Sequence, residues 1–208
     1  MKVNKYKTLV IIGAGGHAKV CYEIALLMNK WDTIIILDDN LENNFFEISG
    51  KVNDYKKYLN SADFFVAIGS NETRSKIYED ILEQSGSLAT LIHPNAILSE
   101  YLKIGEGTVI MPGVIINADS EIGKGVILNT SCTIDHDNNI GDYVHISPGA
   151  HLAGNVTVEG KTWVGIGSNI INNIKISKNC IIGAGSLVLT NIQVSDIYIG
   201  SPVKKQKN

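Results

Sequence analysis

The feature that most constrains this chain is a period of six. Steps of six residues from Ile92 run through Leu98, Ile104, Ile110 and Ile116 to Val188 and Val194, and all eighteen positions are Ile, Leu or Val. The position four later is mostly small or β-branched, as in Thr108, Val114, Ser120, Val126 and Cys132, with Asn138 as a polar exception. The position one later is often glycine, as in Gly105, Gly123, Gly141, Gly165 and Gly183. One hexad supplies a short strand and a turn, and cannot bury its aliphatic residue alone. Three hexads close a triangular coil, and stacked coils hydrogen-bond at the strand spacing of about 4.8 Å. The ladder residues fill the interior, the small residues fit where the wall turns, and the run makes about six coils.

The first half of the sequence follows another rule. Apolar strands are expected at 8–16, 33–38, 62–70 and 87–92, with helices at 17–30 and 72–86. Strands separated by helices imply crossover connections and a parallel sheet. The chain therefore reads as a half-Rossmann-like α/β domain over 1–92 and an all-β parallel helix of hexapeptide repeats over 93–208. General crossover rules favour a right-handed coil, so the hand does not follow from the pattern.

Composition narrows the function. The 208 residues are 44% apolar and 19% charged with net charge −3, and no basic stripe appears that would suit nucleic acid. Lys204, Lys205 and Lys207 form the one basic cluster and read as a solvated tail. Cys21, Cys132 and Cys180 are odd in number and widely spaced, which suggests buried thiols in a reducing compartment rather than disulfides or zinc. Met1 to Lys5 open the chain without a signal-peptide pattern, and no run approaches the roughly 20 apolar residues of a membrane span. The expectation is a soluble, cytoplasmic protein without a membrane partner.

Order and spacing of several motifs resemble one family along essentially the whole chain. They are VIIGAGGHAKV (10–20), LDD (37–39), VAIGSNETR (66–74), LIHPNA (91–96), VILNTSCTIDHD (126–137), IGDYVHISPGAHLAGNV (140–156) and IGSPVKK (199–205). The chain resembles the hexapeptide-repeat sugar acyltransferases of the sialic acid O-acetyltransferase (NeuD) and bacillosamine N-acetyltransferase (PglD) type. That resemblance implies a left-handed β-helix, a homotrimer with active sites between subunits, and acetyl-CoA as co-substrate with no metal. It also implies a nucleotide-linked amino sugar as acceptor, in surface glycan biosynthesis, with sugar O-acetylation as the alternative.

Acetyl transfer needs a base for the nucleophile, a donor for the oxyanion and a groove for the pantetheine arm. His136 stands between Asp135 and Asp137, and the family's proton-abstracting histidine matches it, with Asp137 matching the acidic neighbour. Adjacent side chains on a strand point apart, so a His136–Asp137 contact requires a bend, and Asp135 stays open as the supporting acid. Gly154 lies eighteen residues after His136, one coil on, where a glycine lets a ligand approach and offers its N–H to an oxyanion. His145 is nine residues from His136, half a coil around, and by resemblance contacts the acetyl-CoA arm. His151 and His93 read as structural. Ile166, Ala184 and the Gly200–Pro202 turn are assigned to CoA by resemblance, with Lys204 or Lys205 near its phosphates.

In the first half, Gly13, Gly15 and Gly16 with Ala18 fit a glycine loop between strand and helix, which presents backbone N–H groups to phosphate. About 90 residues are too few for a whole dinucleotide fold, and the resemblance assigns the loop to the nucleotide of the nucleotide-linked sugar. Asp38 and Asp39 end the second strand and are candidates for ribose or base contacts. Gly69, Asn71 and Arg74 follow the third strand at the same sheet edge, against the plainer reading of a helix cap with a surface arginine. His17 and Lys19 face the same crevice. Two other readings compete: a zinc enzyme using His136, His145 and His151, whose spacings do not obviously converge, and a non-catalytic scaffold, against which the Asp-His-Asp triplet argues.

Overall fold

A computed structural model describes residues 6–42 and 44–206. The opening Met1–Lys5 segment and Lys207 of the basic cluster lie outside the described residues. The chain forms two compact units, Met1–Pro94 and Asn95–Asn208.

The first unit carries β1 (Thr8–Ile12), α1 (Gly16–Met28), β2 (Thr33–Leu37), β3 (Asp63–Val66), α2 (Asn71–Glu83) and β4 (Ser87–Leu88). The sheet order is β2-β1-β3-β4, all parallel. β1 is central, and Leu9 to Ile12 are wholly buried, as a strand covered on both faces requires. Helix α1 stops at Met28 because Asn29 takes a left-handed conformation (φ 50°) and closes the last turn on Leu26 O. Helix α2 starts behind Ser70, whose hydroxyl accepts from Thr73 N–H.

Two details differ from the sequence reading. The expected strand 87–92 is two strands: the β3 ladder ends with Ala89 N–H donating to Phe64 O, and Leu91–Ile92 is separate. A 3₁₀ helix at Val52–Tyr58 was not expected; buried Tyr55 anchors it edge-on against Phe64.

The second unit is a left-handed parallel β-helix. Sixteen two-residue strands, from Ile97–Leu98 to Leu187–Val188, each end on a ladder residue. Up to Asn169–Ile170, each strand pairs with the strand eighteen residues on, as in Ile127 with His145 and Trp163 with Ile181. Three flat faces result, and ladder residues from Ile110 to Val188 are buried. The corner positions from Thr108 to Ser186 are buried too, including Asn138. The three cysteines are free and buried, and burial pushes the Cys132 thiol up to about 12.

The eighteenth step departs from the period. Ile192 pairs with Ile176 and Tyr198 with Ile182, an offset of sixteen rather than eighteen. The turn after Val188 is two residues short, so Ile192 takes the interior place and Val194 is 58% exposed. The basic tail is likewise not free. Lys204–Lys205 pairs antiparallel with Tyr198–Ile199, and Lys205 Nζ lies 2.6 Å from Asp196 Oδ2. No helix among the described residues is long and apolar enough to cross a membrane.

This slip has a measurable signature in denaturant unfolding. Ile192→Ala is expected to cost about 2–5 kcal/mol, and Val194→Ala less than about 0.5 kcal/mol. An unbroken period would reverse that order.

Candidate functional site

The corner at 135–138 joins strand Thr133–Ile134 to strand Asn139–Ile140 and carries His136. Asp137 is left-handed there (φ 60°), which supplies the bend that brings two adjacent side chains together. His136 Nδ1 lies 2.7 Å from Asp137 Oδ2. With Nδ1–H donating to that carboxylate, Nε2 is left with its lone pair and can accept a proton. The hydrogen bond to Asp137 is the main cause that raises the His136 pKa above its ordinary value, and the charges of Asp137 and Asp135 add to it. Asp135 is otherwise engaged: its Oδ1 accepts from Asn117 Nδ2 at 2.7 Å. Of the two acids, Asp137 is therefore the one bonded to the imidazole. The ring is open to the surface, with the side chain 62% exposed.

Gly154 occupies the same corner one coil on. A Cβ there would fall 2.5 Å from His136 Cε1 and 2.6 Å from Nε2. The space that the missing side chain leaves is filled by the imidazole itself, rather than kept open for a ligand. Gly154 is not needed for the turn, since its φ is outside the left-handed region. Its C=O accepts from Asn173 N–H, while its own N–H has no acceptor among the described residues. A backbone donor thus lies beside an imidazole that can take a proton.

His145 lies on a flat face, away from that corner. Its Nε2 is 3.2 Å from Asn129 Nδ2, and its ring stacks on Trp163 at 5.7 Å between centroids. Trp163 Nε1 donates to Ser147 Oγ at 2.7 Å. The sequence reading missed Trp163, although it stands eighteen residues after His145, the same offset that pointed to Gly154. His151 Nδ1 bonds Thr133 Oγ1 at 2.9 Å, in keeping with a structural part. Ile166 and Ala184 stack at another corner, joined by Gly185 N–H to Ile166 O, and both are exposed. Among the described residues, no group of three or more His, Cys, Asp or Glu is placed to hold a metal ion.

The first unit gathers its candidates around the C-terminal ends of β1, β2 and β3. Gly13 has φ +106°, and a Cβ would meet Ala67 O at 2.9 Å, so this turn requires glycine. Gly15 and Gly16 are exposed at the start of α1. Asp38 bonds two backbone N–H groups. Its Oδ2 accepts from Ala14 N–H at 2.7 Å and its Oδ1 from Asn40 N–H at 2.8 Å, so the carboxylate ties down the glycine loop. Asp39 accepts from Val52 N–H.

Arg74 is not a surface arginine: it is 1% exposed. Its guanidinium donates to Ile68 O, Gly69 O and Asn71 Oδ1, bracing the loop after β3. Burial, helped by the Arg74 charge, lowers the His17 pKa to about 4, and His17 Nε2 lies 3.6 Å from Cys21 Sγ. Lys19 sits over the Phe45 ring at 4.9 Å.

Comparison with known proteins bears on both units. The PglD N-terminal domain family matches residues 8–81, and the bacterial transferase hexapeptide family (six repeats) matches residues 101–136. UDP-N-acetylbacillosamine N-acetyltransferase of Bacillus subtilis (strain 168) is 38% identical over 112 residues, and the match spans half of each chain. The acetyltransferase domain of PglB from Neisseria gonorrhoeae FA1090 is 35% identical with TM-score 0.92, covering 96% of this chain and all of that one. The same domain has been solved in complex with acetyl coenzyme A. PerB from Caulobacter crescentus, solved with CoA and GDP-perosamine, is 34% identical with TM-score 0.90, covering 96% of this chain and 97% of that one. A prism of hexapeptide repeats joined to such an α/β unit defines an acyltransferase class. The chain belongs to the family of PglB/PglD-type sugar N-acetyltransferases.

The two histidines should titrate apart in NMR. His136 should protonate above 6.5, and His17 should stay neutral down to about 4. Between those values the unfolded chain binds a proton at position 17 that the folded chain does not. That part of stability is complete above 6.5 and is lost as pH falls toward about 4. His17→Gln should remove this acid sensitivity in unfolding measured across the window.

Proposed function

We propose that the chain transfers the acetyl group of acetyl-CoA to the amino group of a nucleotide-linked 4-amino deoxy sugar, a step in surface glycan synthesis. The observation that carries this reading is the His136–Asp137 pair packed over Gly154. The relatives support its two substrates: PerB was solved with CoA and GDP-perosamine, and the PglB domain with acetyl coenzyme A.

In this mechanism the sugar nitrogen attacks the thioester carbonyl carbon. His136 Nε2 takes the proton that the nitrogen loses, while Asp137 stabilises the imidazolium so formed. Negative charge builds on the carbonyl oxygen and is met by the Gly154 N–H. The tetrahedral intermediate expels CoA thiolate, and His136 returns the proton to the sulfur. One C–N bond forms, one C–S bond breaks, and the imidazole ends neutral.

His145, with Ile166 and Ala184, would line the acetyl-CoA arm. His145 lies half a coil from His136, so it serves the same acetyl group from a neighbouring subunit. The reading thus includes a homotrimer with sites at its seams, and light scattering should give a mass of three chains. In the first unit, the glycine loop with Gly69 and Asn71 would meet the nucleotide and diphosphate. Asp38 and Arg74 would act there by holding the loops, given the bonds they already make. His17, kept neutral, would offer a hydrogen bond at the sugar end, with Lys19 nearby.

The test is CoA release with acetyl-CoA and a panel of UDP-, GDP- and dTDP-linked 4-amino sugars. One acceptor should be turned over, and His136→Ala should lower kcat by roughly 10²–10⁴-fold. Activity should rise with pH through a midpoint above 6.5, because the base must be neutral. Asp137→Asn removes the bond that raises that midpoint, so the rise should move to lower pH. Acetyl transfer that survives His136→Ala, or that no amino sugar supports, refutes the reading.

A further inference from the structure

The buried corner positions of the prism follow a hydrogen-bonding rule. At Thr108, Ser120 and Thr162 the corner hydroxyl donates to the carbonyl fifteen residues on and accepts from the N–H eighteen residues on. Thr108 Oγ1 donates to Gly123 O at 2.8 Å and accepts from Val126 N–H at 3.1 Å. Thr162 does the same with Ser177 O and Cys180 N–H. These pairs staple one coil to the next.

Asn138 obeys the rule and exceeds it. Its Nδ2 donates to Ala153 O at 3.0 Å, and its Oδ1 accepts from Val156 N–H at 3.2 Å. The other hydrogen of the same Nδ2 points back into its own turn, to Asp135 O at 2.7 Å, with His136 O at 3.3 Å as the weaker, shared acceptor. A hydroxyl, with one hydrogen, cannot make those extra bonds. Asn138 is 1% exposed, so each of these bonds is made away from water.

The three carbonyls belong to three informative peptide units. Asp135 O and His136 O are the peptide oxygens on either side of His136. Ala153 O belongs to the peptide whose N–H is that of Gly154. A trans peptide points its C=O and N–H in opposite directions. Drawing Ala153 O inward therefore turns the Gly154 N–H outward. We infer that Asn138 is a positioning residue: from inside the prism, one amide fixes both the backbone that carries the base and the peptide that carries the oxyanion donor. This rests on the roles proposed above for His136 and Gly154.

Geometry of this kind acts on the chemical step, since a misplacement of about 1 Å can cost roughly 10²-fold in rate. Asn138→Ser keeps the fifteen- and eighteen-residue staples and removes the two bonds to the base's own turn. The expected result is a kcat lower by about tenfold or more, with both KM values within about twofold. Thr108→Ala, which removes the same staples at a corner without a base, should lower the melting temperature and leave kcat unchanged. Asn138→Thr, a second hydroxyl variant, is read in the same way should the serine variant not fold.

The outcomes separate the two claims. Loss of activity in His136→Ala with a wild-type kcat in Asn138→Ser overturns the positioning role and leaves the base in place. Equal losses of kcat in Asn138→Ser and Thr108→Ala overturn it as well, since general packing would then account for both. Full activity in His136→Ala overturns the base, and the positioning role with it.

Discussion

Up to its shortened last coil, the second unit depends on coil pairing with coil at an offset of eighteen residues. A two-residue strand has almost no stability alone; it persists because each is bonded above and below and because its ladder side chain is buried. Burying one Ile or Leu contributes about 1.5–3 kcal/mol, and the repeat multiplies that gain with little variation. The offset also turns distance in sequence into position in space. Residues eighteen apart become neighbours one strand spacing apart, so His136 meets Gly154 and His145 meets Trp163.

The candidate site uses the corners, where the repeat tolerates variation. A flat face alternates inward and outward side chains and leaves adjacent residues no way to meet. A corner residue at positive φ, as at Asp137, removes that limit. The same left-handed conformation recurs at Asp119, Asn155 and Asn173, the residues stacked below and above Asp137. The bend that pairs His136 with its carboxylate is therefore a property of the column that the site adopts. In the first unit the polar residues work in the same spirit: Asp38 and Arg74 spend their hydrogen bonds on loops, and the exposed glycines are left at the surface.

Much of this was legible in the sequence, and the exceptions have physical causes. Six-residue spacing revealed the prism because the steps from Ile110 to Val188 all bury the same kind of side chain. It could not reveal the shortened last coil, because Ile192 and Val194 are both aliphatic and either suits the interior. Arg74 read as a substrate contact, with a surface cation as the plainer alternative, because charge normally stays in water; bonds to the carbonyls of Ile68 and Gly69 and the amide of Asn71 help make its burial tolerable. Asp38 read as a ligand group because nothing local shows that Ala14, twenty-four residues earlier, returns to it. The offset singled out Gly154; the imidazole of His136 fills the space its missing side chain leaves, which the sequence alone does not show. The 3₁₀ segment at 52–58 has no periodic signal and is held by Tyr55 alone among its buried residues.

The short final coil has one more consequence. A stack of parallel coils ends in strands whose outer N–H and C=O groups are unpaired, an open invitation to another column's end. Here Ile197–Ile199 lies over Ile181–Ile182 and is covered in turn by Lys204–Lys205, running the opposite way. The reversed direction breaks the template for a further parallel layer. Along that face the column is closed against fibre-like growth by a strand that runs against the stack.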